Sequence, residues 1–247
     1  MFDLQKASLW KRLSAVLLDG ILLVTVAVGA VLLLSLLLGY DARVERLEEI
    51  YAIYESDYGV EFDLTQEEYE ALDDAARERY DEASLAFSKD GEVSHLFELL
   101  FHLTILMIVF GILLAFLLLE FLVPLLLQNG QTVGKKVFGV GVMRTDGVKL
   151  TPLLLFVRTV LGKYTVGTML PVMLAVLLYF GVMGPIGLLP AAALLFAQVL
   201  LLFATPAHTP LHDKLAHTVT VDLSSQMIFE TPEELLAYQT KYNESKE

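Results

Sequence analysis

The sequence predicts an all-α polytopic membrane protein with four transmembrane helices, an extracytoplasmic acidic helical hairpin insert, and a small cytoplasmic β hairpin or sheet. Hydrophobic residues make up 55% of the 247 residues and charged residues only 19%, against about 45–50% and about 25% in an ordinary globular protein. Several apolar runs are long enough to cross a bilayer. The net charge of −13 is confined to one segment of the chain.

The charge distribution separates an acidic insert from a neutral membrane body. Residues 41–92 contain 18 acidic and five basic residues, so their net charge of −13 equals that of the whole chain. No basic tract is suited to nucleic acid, and the acidic insert would repel it. The chain has no cysteine, which removes disulfides, thiol catalysis and cysteine-based metal sites. We expect no cofactor and no enzymatic activity, because no nucleophile–base pair or metal motif is recognisable.

The first two predicted spans lie on either side of this insert. Residues 1–40 hold the N-terminus and the first span, whose apolar run from Leu13 to Leu38 exceeds the roughly 7–15 residues of a signal peptide. We therefore expect a retained transmembrane helix. The second span, 95–128, is longer than a bilayer requires, so its ends project or the helix kinks before Pro124.

The second half of the chain contains the remaining predicted spans. Residues 129–165 are predicted to form a cytoplasmic β-hairpin and an interfacial helix. Residues 166–206 contain two apolar runs, 166–182 and 186–205, joined by the turn-like sequence MGPIG, which is typical of a helical hairpin. Residues 207–247 are predicted to form a cytoplasmic strand and a short helix.

Basic residues predict the orientation, because lysine and arginine concentrate on the cytoplasmic side. They cluster before the first span, between the second and third spans, and after the fourth. Four spans with both termini in the cytoplasm place each of these clusters inside. The sequence therefore predicts a multi-pass protein of the cell membrane with its insert outside.

The insert, residues 41–94, has a helical pattern of its own. Aromatic and aliphatic residues recur at steps of three and four in two stretches, and a capping box, Thr65 to Glu68, opens the second stretch. Two amphipathic helices would bury an aromatic seam and expose the acidic residues. Three roles are open: a solvated hairpin without chemistry, a surface that collects cations, or a docking surface for a second copy or another protein.

Two segments near the predicted cytoplasmic face have the alternating pattern of strands. KVFGVGVMRTDGVKL (136–150) alternates around Asp146-Gly147, which is a hairpin turn signal, and HTVTVDL (217–223) alternates likewise. These segments could pair into a small sheet. A second capping box with proline at the first helical position begins at Thr231 and predicts a short helix.

Two carboxylates lie within the predicted spans. Asp19 interrupts the first run seven residues after Arg12, and Glu120 lies near the cytoplasmic end of the second. A central aspartate costs about 2.5–3.5 kcal/mol on insertion scales, so each carboxylate must face helices, a base or water. At a similar depth the two would suit the binding of a proton or a cation. The other interpretation is a structural ion network in which Arg158 or Lys163 neutralises them.

A third polar cluster follows the fourth span. It contains three histidines and one aspartate within ten residues, namely His208, His212, Asp213 and His217. A metal site is one interpretation, but Pro210 interrupts the helical spacing and no HExxH pattern is present. The other interpretation is an interfacial segment whose Asp213 caps a helix or pairs with a base, and we predict no metal site.

Three motifs occur in order: Arg12-x6-Asp19, the loop that contains Gly130, Gln131, Thr132, Gly134 and Lys135, and Leu211-His212-Asp213 before a Thr-Val-Thr-Val strand. Together they resemble the RDD family, a membrane family named for one arginine and two aspartates. The resemblance covers roughly residues 5–38 and 95–223 and identifies Arg12, Asp19 and Asp213 as the naming residues. Lys136 and Phe138 depart from the expected Arg and Leu, and the acidic insert departs from the usual short connection.

The resemblance implies a membrane protein of a family for which cation/proton exchange has been proposed. We therefore expect exchange of monovalent cations for protons in the lipid bilayer, with Asp19, Glu120 and Asp213 as carriers. The alternative is a membrane scaffold or accessory protein, without transport, whose acidic insert docks a partner.

Overall fold

The computed structural model describes residues 5–127, 130–179 and 210–245, with scattered positions between 181 and 200. Within these residues, three helices are long and apolar enough to cross a membrane: Leu9–Leu38, Gly91–Leu127 and Pro152–Leu178. We call them the first, second and third spans. The predicted fourth span, 186–205, lies outside the described residues apart from scattered positions. The protein is thus mostly helical, with three candidate spans.

The chain divides into two compact units. One unit is residues 29–111 and contains the acidic insert with the adjoining ends of the first and second spans. The other unit combines residues 1–28 with 112–247 and contains the remainder of the membrane body. Each unit has its own packed interior.

The insert contains three helices where the sequence predicted two. They are α2 (Tyr40–Tyr58), α3 (Gln66–Ala71) and α4 (Asp74–Lys89), after α1 (Leu9–Leu38) and before α5 (Gly91–Phe116). The predicted capping box is present, since the Thr65 hydroxyl accepts from the Glu68 N–H. The second predicted helix is interrupted because Leu72 is extended and the Asp73 carboxylate caps α4 by accepting from the Ala76 N–H at 2.7 Å.

The insert is built around Phe87. Its ring lies 4.4 Å from that of Tyr51 and 5.4 Å from those of Tyr54 and Phe62, between ring centroids. Aliphatic residues complete the buried core, namely Leu47, Ile50, Val93, Leu96 and Leu100. The aromatic seam predicted from helical spacing is therefore confirmed. Phe62, in the link between α2 and α3, joins it although it lies outside both predicted stretches.

The second unit contains residues 9–28 of α1, the end of α5 and the described elements that follow α5. These following elements are the π-helical segment π1 (Leu117–Leu122), α6 (Val123–Leu127), α7 (Val133–Val137), β1 (Val140–Arg144), α8 (Pro152–Phe156), π2 (Val157–Met169), α9 (Leu170–Tyr179), α10 (Leu211–Leu215), β2 (Thr218–Asp222) and α11 (Pro232–Glu244). Segment π1 belongs to the second span and π2 to the third span.

The third span begins at Pro152 rather than at the predicted Val166. Thr151 caps its first turn by accepting from the Leu154 N–H, and Pro152 occupies the first turn, where a missing N–H costs nothing. The residues predicted to form a separate interfacial helix are thus part of one continuous helix. The charges of Arg158 and Lys163 are typical of an interfacial helix rather than of a span. Both charges are neutralised here, because Asp213 binds Arg158 and Glu120 binds Lys163.

The predicted small sheet consists of β1 and β2, which pair antiparallel with Val142 opposite Thr220. The turn at Asp146-Gly147 forms as well, because the Arg144 N–H donates to the Val148 carbonyl at 2.9 Å. Beyond that turn, the structure has an isolated bridge between Met143 and Lys149 rather than a second strand. The remote segment is the main partner because its β-branched residues bury against Met143.

Helix α11 follows the sheet. The Thr231 hydroxyl accepts from the Glu234 N–H at 3.2 Å, with proline in the first turn. This arrangement confirms the short C-terminal helix predicted from the second capping box.

Candidate functional site

Asp19 connects the first span to the loop that carries the glycine-rich motif. Its Oδ2 accepts from the Thr132 hydroxyl at 2.5 Å, and its Oδ1 accepts from the Gly134 N–H at 2.7 Å. Thr132 also caps α7, since its hydroxyl accepts from the Lys135 N–H at 3.4 Å. The carboxylate therefore binds the first turn of α7, where a negative charge is favoured.

The motif loop requires its small and polar residues for close packing. A Cβ at Gly134 would lie 2.9 Å from Asp19 Oδ1 and closer still to the Ala15 carbonyl oxygen. Gly130 has a φ of 59°, in the left-handed region that favours glycine. The buried Gln131 side chain donates to the Val140 carbonyl at 3.0 Å and so joins the loop to β1.

Asp213 forms a buried ion pair with Arg158. Arg158 Nε lies 2.6 Å from Asp213 Oδ1, and each side chain is 3% exposed. The Thr218 hydroxyl donates to the same carboxylate at 2.9 Å. Burial alone raises the pKa of the Asp213 carboxyl, but the Arg158 guanidinium and these hydrogen bonds hold the pKa well below its usual range. Asp213 is therefore a fixed negative charge.

Gly162 allows α10, which carries Asp213, to approach the third span. A Cβ at Gly162 would lie 2.5 Å from the Cβ of His212. Burial lowers the pKa of His212 to about 3, so its imidazole is neutral at physiological pH. This close contact brings Asp213 within reach of Arg158.

Arg12 reaches the same region through β2. Its Nη2 donates to the Thr220 carbonyl at 2.7 Å, and the Thr220 hydroxyl donates to Asp213 Oδ2 at 3.4 Å. Arg12 and Asp213 are therefore connected through one residue of the sheet.

Glu120 pairs with Lys163 between the second and third spans. Lys163 Nζ lies 2.5 Å from Glu120 Oε2, with side chains 18% and 8% exposed. Pro124 lacks the N–H that would bond to the Glu120 carbonyl in an α-helix, and the Thr159 hydroxyl donates to this carbonyl at 3.0 Å. Both charged residues lie in π-helical segments, which occur frequently at functional sites.

Lys135 is the charged group whose position the sequence did not predict. Its side chain is buried, and within the described residues its Nζ has no hydrogen-bond partner. Burial and repulsion by Lys163 and Arg158 lower its pKa to about 7, against the attraction of Glu120 and Asp19. A lysine with this pKa exchanges its proton near neutral pH.

Two cavities share Lys135, Lys163 and His212 in their polar linings. We call the first, of about 230 Å³, the acidic cavity; its polar lining includes Asp19, Glu120, Lys135, Lys163 and His212. We call the second, of about 200 Å³, the basic cavity; its polar lining includes Arg12, Lys135, Arg158, Lys163, Asp213 and Thr220. Lys135, like Lys163 and His212, therefore borders both a cavity with two carboxylates and a cavity with four bases.

The structure brings some of the predicted site residues together and separates others. Asp19 and Glu120 line one cavity, as their similar depth suggested, and Lys163 neutralises Glu120. Arg158 binds Asp213 rather than Asp19 or Glu120. The predicted pairing of Asp213 with a base is thus present, and the base is Arg158. The sequence had proposed Arg158 as a partner of Asp19 or Glu120 instead.

The histidine cluster falls partly outside the described residues, because His208 does. Within the part of the chain that the structure describes, no group of three or more His, Cys, Asp or Glu side chains is placed to hold a metal ion. Threonines complete the network. Thr218 and Thr220 belong to the Thr-Val-Thr-Val strand of the third motif, but the sequence gave no sign that their hydroxyls donate to Asp213. Thr159, which donates to the Glu120 carbonyl, gave no recognisable signal.

Three candidate spans within the described residues, which together contribute buried charges to one cluster, indicate a multi-pass membrane protein. The model of the RDD family matches residues 6–217. The chain belongs to the RDD family, which confirms the resemblance read from its three motifs. Comparison with curated proteins found no match, and comparison with solved structures found none either.

Proposed function

We propose that this membrane protein exchanges monovalent cations for protons through the acidic cavity. The observation that carries the proposal is the buried ammonium group of Lys135, which has no hydrogen-bond partner within the described residues and lines a cavity with Asp19 and Glu120. A buried charge without a partner is costly and is relieved when the proton leaves.

The charge of the acidic cavity supports a one-for-one exchange. Asp19 and Glu120 supply two negative charges, and Lys135 and Lys163 supply two positive charges. When Lys135 releases its proton, the cavity gains one negative charge and attracts one monovalent cation. When the cation leaves, the same negative charge raises the proton affinity of Lys135. The two ligands therefore compete for one site without any covalent step.

Besides the charges that they supply, the other charged residues have positioning roles in this proposal. Lys163 holds Glu120 at the cavity, and Asp19 holds the loop that carries Lys135. Asp213 lines the basic cavity and is paired with Arg158. We therefore assign Asp213 to the structural network and give the role of proton carrier to Lys135.

The test is ion flux in proteoliposomes under a pH gradient, with sodium, potassium and lithium offered in turn. Proteoliposomes with wild-type protein should release internal protons when at least one of these three cations is added outside. Lys135→Met removes the ammonium but keeps an apolar chain of similar length, so it should abolish this coupling. Lys136→Met alters an exposed neighbour and is the matched control. Full coupling in Lys135→Met, or no flux in wild type with any cation, would contradict the proposal.

Asp19→Asn tests the carboxylate that lies within the first span. The amide keeps the size and part of the hydrogen bonding to Gly134 but removes the charge. We expect this variant to insert, fold and remain monodisperse while its proton-coupled flux is lost. Normal flux in Asp19→Asn would exclude a role for its charge.

We also propose that the protein lies in the cell membrane with both termini in the cytoplasm and the insert outside. The clusters of lysine and arginine support this orientation. In this arrangement the acidic surface of the insert would raise the concentration of cations near the adjoining ends of the first and second spans, which belong to the same unit.

A second candidate function is a membrane scaffold without transport. The observation that favours it is the insert, which buries an aromatic core of its own and has an excess of acidic residues. Its partner would be a second copy of this chain or another protein. Absence of flux together with a dimer in detergent, measured by light scattering, would favour the scaffold over the exchanger.

A further inference from the structure

We propose that the basic cavity binds a phosphate group, carried either by an anionic phospholipid or by free inorganic phosphate. Its polar lining combines the side chains of Arg12, Lys135, Arg158 and Lys163 with a single carboxylate, Asp213. Guanidinium and ammonium groups are the side chains that bind phosphate oxygens most strongly.

The charges around this cavity leave an unmatched positive charge. Asp213 neutralises Arg158, and Glu120 neutralises Lys163. Asp19 supplies one further negative charge from the acidic cavity, against the positive charges of Arg12 and Lys135. The cluster therefore has an excess of one positive charge while Lys135 is protonated. A phosphodiester, with one negative charge, would neutralise this excess.

Lys135 supplies the independent evidence for a ligand. Lys135 is only 5% exposed and lines the basic cavity. Its Nζ is without a hydrogen-bond partner within the described residues. Buried polar groups are nearly always hydrogen-bonded, and a buried charge without a partner is rare. A phosphate oxygen in the basic cavity would accept from this ammonium group.

The size and position of the cavity suit a phosphate group. Its volume of about 200 Å³ is several times the roughly 30 Å³ that a water molecule occupies in the liquid. Arg12 lies two residues after Trp10, which is 78% exposed at the start of the first span. Tryptophan concentrates at the membrane–water interface. The cavity therefore lies near the level of lipid headgroups.

Binding of phosphate here does not depend on the proposed exchange, but it would affect it. An anion beside Lys135 stabilises the ammonium form and so opposes proton release. Bound phosphate should therefore slow exchange at a given pH. Binding can be measured without any ion gradient, so failure of the exchange proposal would leave the binding result unaffected.

Binding is tested on the full chain purified in a neutral detergent, with two probes. Thermal unfolding is measured with added phosphate against chloride at equal ionic strength, and with phosphatidylglycerol against phosphatidylcholine. At a hundredfold excess over Kd, the bound probe should raise Tm by about 5–10 °C. Stabilisation by phosphatidylglycerol alone identifies a lipid headgroup as the ligand, and stabilisation by phosphate alone identifies the free anion. Either result, or stabilisation by both probes, supports a phosphate site. Stabilisation by neither would overturn the proposal.

The location of the site is tested with Lys135→Met and the control Lys136→Met. Lys135→Met should weaken binding of the stabilising probe about tenfold or more, because it removes a charge-assisted hydrogen bond, and the control should not. Equal binding by both variants would overturn the proposal. If Lys135→Met does not fold, the acetylation rate of Lys135 in wild type is measured by mass spectrometry. The bound probe should slow that reaction relative to Lys136, and an unchanged ratio would overturn the proposal.

Discussion

Arg158 and Asp213 form an ion pair with an Nε–Oδ1 distance of 2.6 Å, although they lie 55 residues apart in the sequence. Both side chains are almost fully buried. Arg158 lies in a candidate membrane span, and its charge is compatible with that position because Asp213 approaches from α10. Asp213 thus connects the segment that contains α10 to the third span.

The first prediction is that Arg158 and Asp213 are strongly coupled in stability. Removing one partner of a buried ion pair leaves the other charge unpaired, which typically costs about 3–5 kcal/mol. Arg158→Met and Asp213→Ala should each lower the free energy of unfolding by about this amount, and the double variant should cost less than the sum. The measurement is a double-mutant cycle by thermal or denaturant unfolding in detergent.

Two comparisons make this cycle specific. Arg12→Ala with Asp213→Ala should show a smaller coupling, because these residues meet through Thr220. The exposed pair of Lys149 and Glu230 should contribute about 0–1 kcal/mol. Additive effects for Arg158 and Asp213 would exclude the buried pair.

The second prediction concerns the contact between the motif loop and the first span. Gly134→Ala should destabilise the protein strongly, because the new Cβ would clash with the Ala15 carbonyl and the Asp19 carboxylate. Gly20→Ala is the matched control, since a Cβ there meets nothing within 4 Å. In the helix interior that control should be neutral or stabilising by up to about 1 kcal/mol. Thermal unfolding in detergent compares the two variants, and equal stability would exclude the tight contact.

Local signals in the sequence predicted much of the fold. The capping box at Thr65 and the threonine cap at Thr231 are present because each depends on residues within one helical turn. At Thr231 the second bond of a capping box does not form, since the Glu234 carboxylate accepts from the Glu230 N–H instead. The apolar runs located the first two spans for a similar reason, since length and composition suffice. The break before Asp73 was missed because a second helix cap was not recognised within a continuous periodic pattern.

Interactions between distant segments could not be predicted in the same way. The turn at Gly147 is local and forms, but β1 takes its main partner from residues 218–222. The start of the third span was missed because Arg158 is neutralised by a residue far away in the sequence. The burial of Lys135 depends on the same tertiary packing, so the motif identified the residue but not its environment.

The third prediction is the orientation in the membrane. Because the chain has no cysteine, single cysteines at Ser56 and Ser245 give unambiguous labelling with a membrane-impermeant thiol reagent. Both positions are exposed. In intact cells Ser56→Cys should be labelled, whereas Ser245→Cys should be labelled only after the membrane is permeabilised. Labelling of both positions from the same side would contradict an insert outside and a C-terminus in the cytoplasm.

The fourth prediction is that stability rises with pH because of Lys135. Its pKa falls from about 10.5 to about 7 on folding, because burial and the charges of Lys163 and Arg158 outweigh Glu120 and Asp19. Between these two values the unfolded chain holds a proton that the folded chain has released. The free energy of unfolding should therefore increase with pH across this window, by up to about 1.4 kcal/mol per pH unit. Below about pH 7 both states hold the proton, and this contribution stays at its minimum.

The measurement is thermal unfolding in detergent from pH 6 to about pH 10 for wild type, Lys135→Met and Lys136→Met. His212 lines the acidic cavity too, but its pKa of about 3 excludes it from this window. The difference between wild type and Lys135→Met cancels the titration of all groups that do not interact with Lys135. That difference should favour Lys135→Met most below pH 7 and should shrink as the pH rises, whereas Lys136→Met should follow wild type throughout. A constant difference across the range would show that Lys135 does not titrate near neutral pH, and the proton carrier of the proposed exchange would then have to be another group.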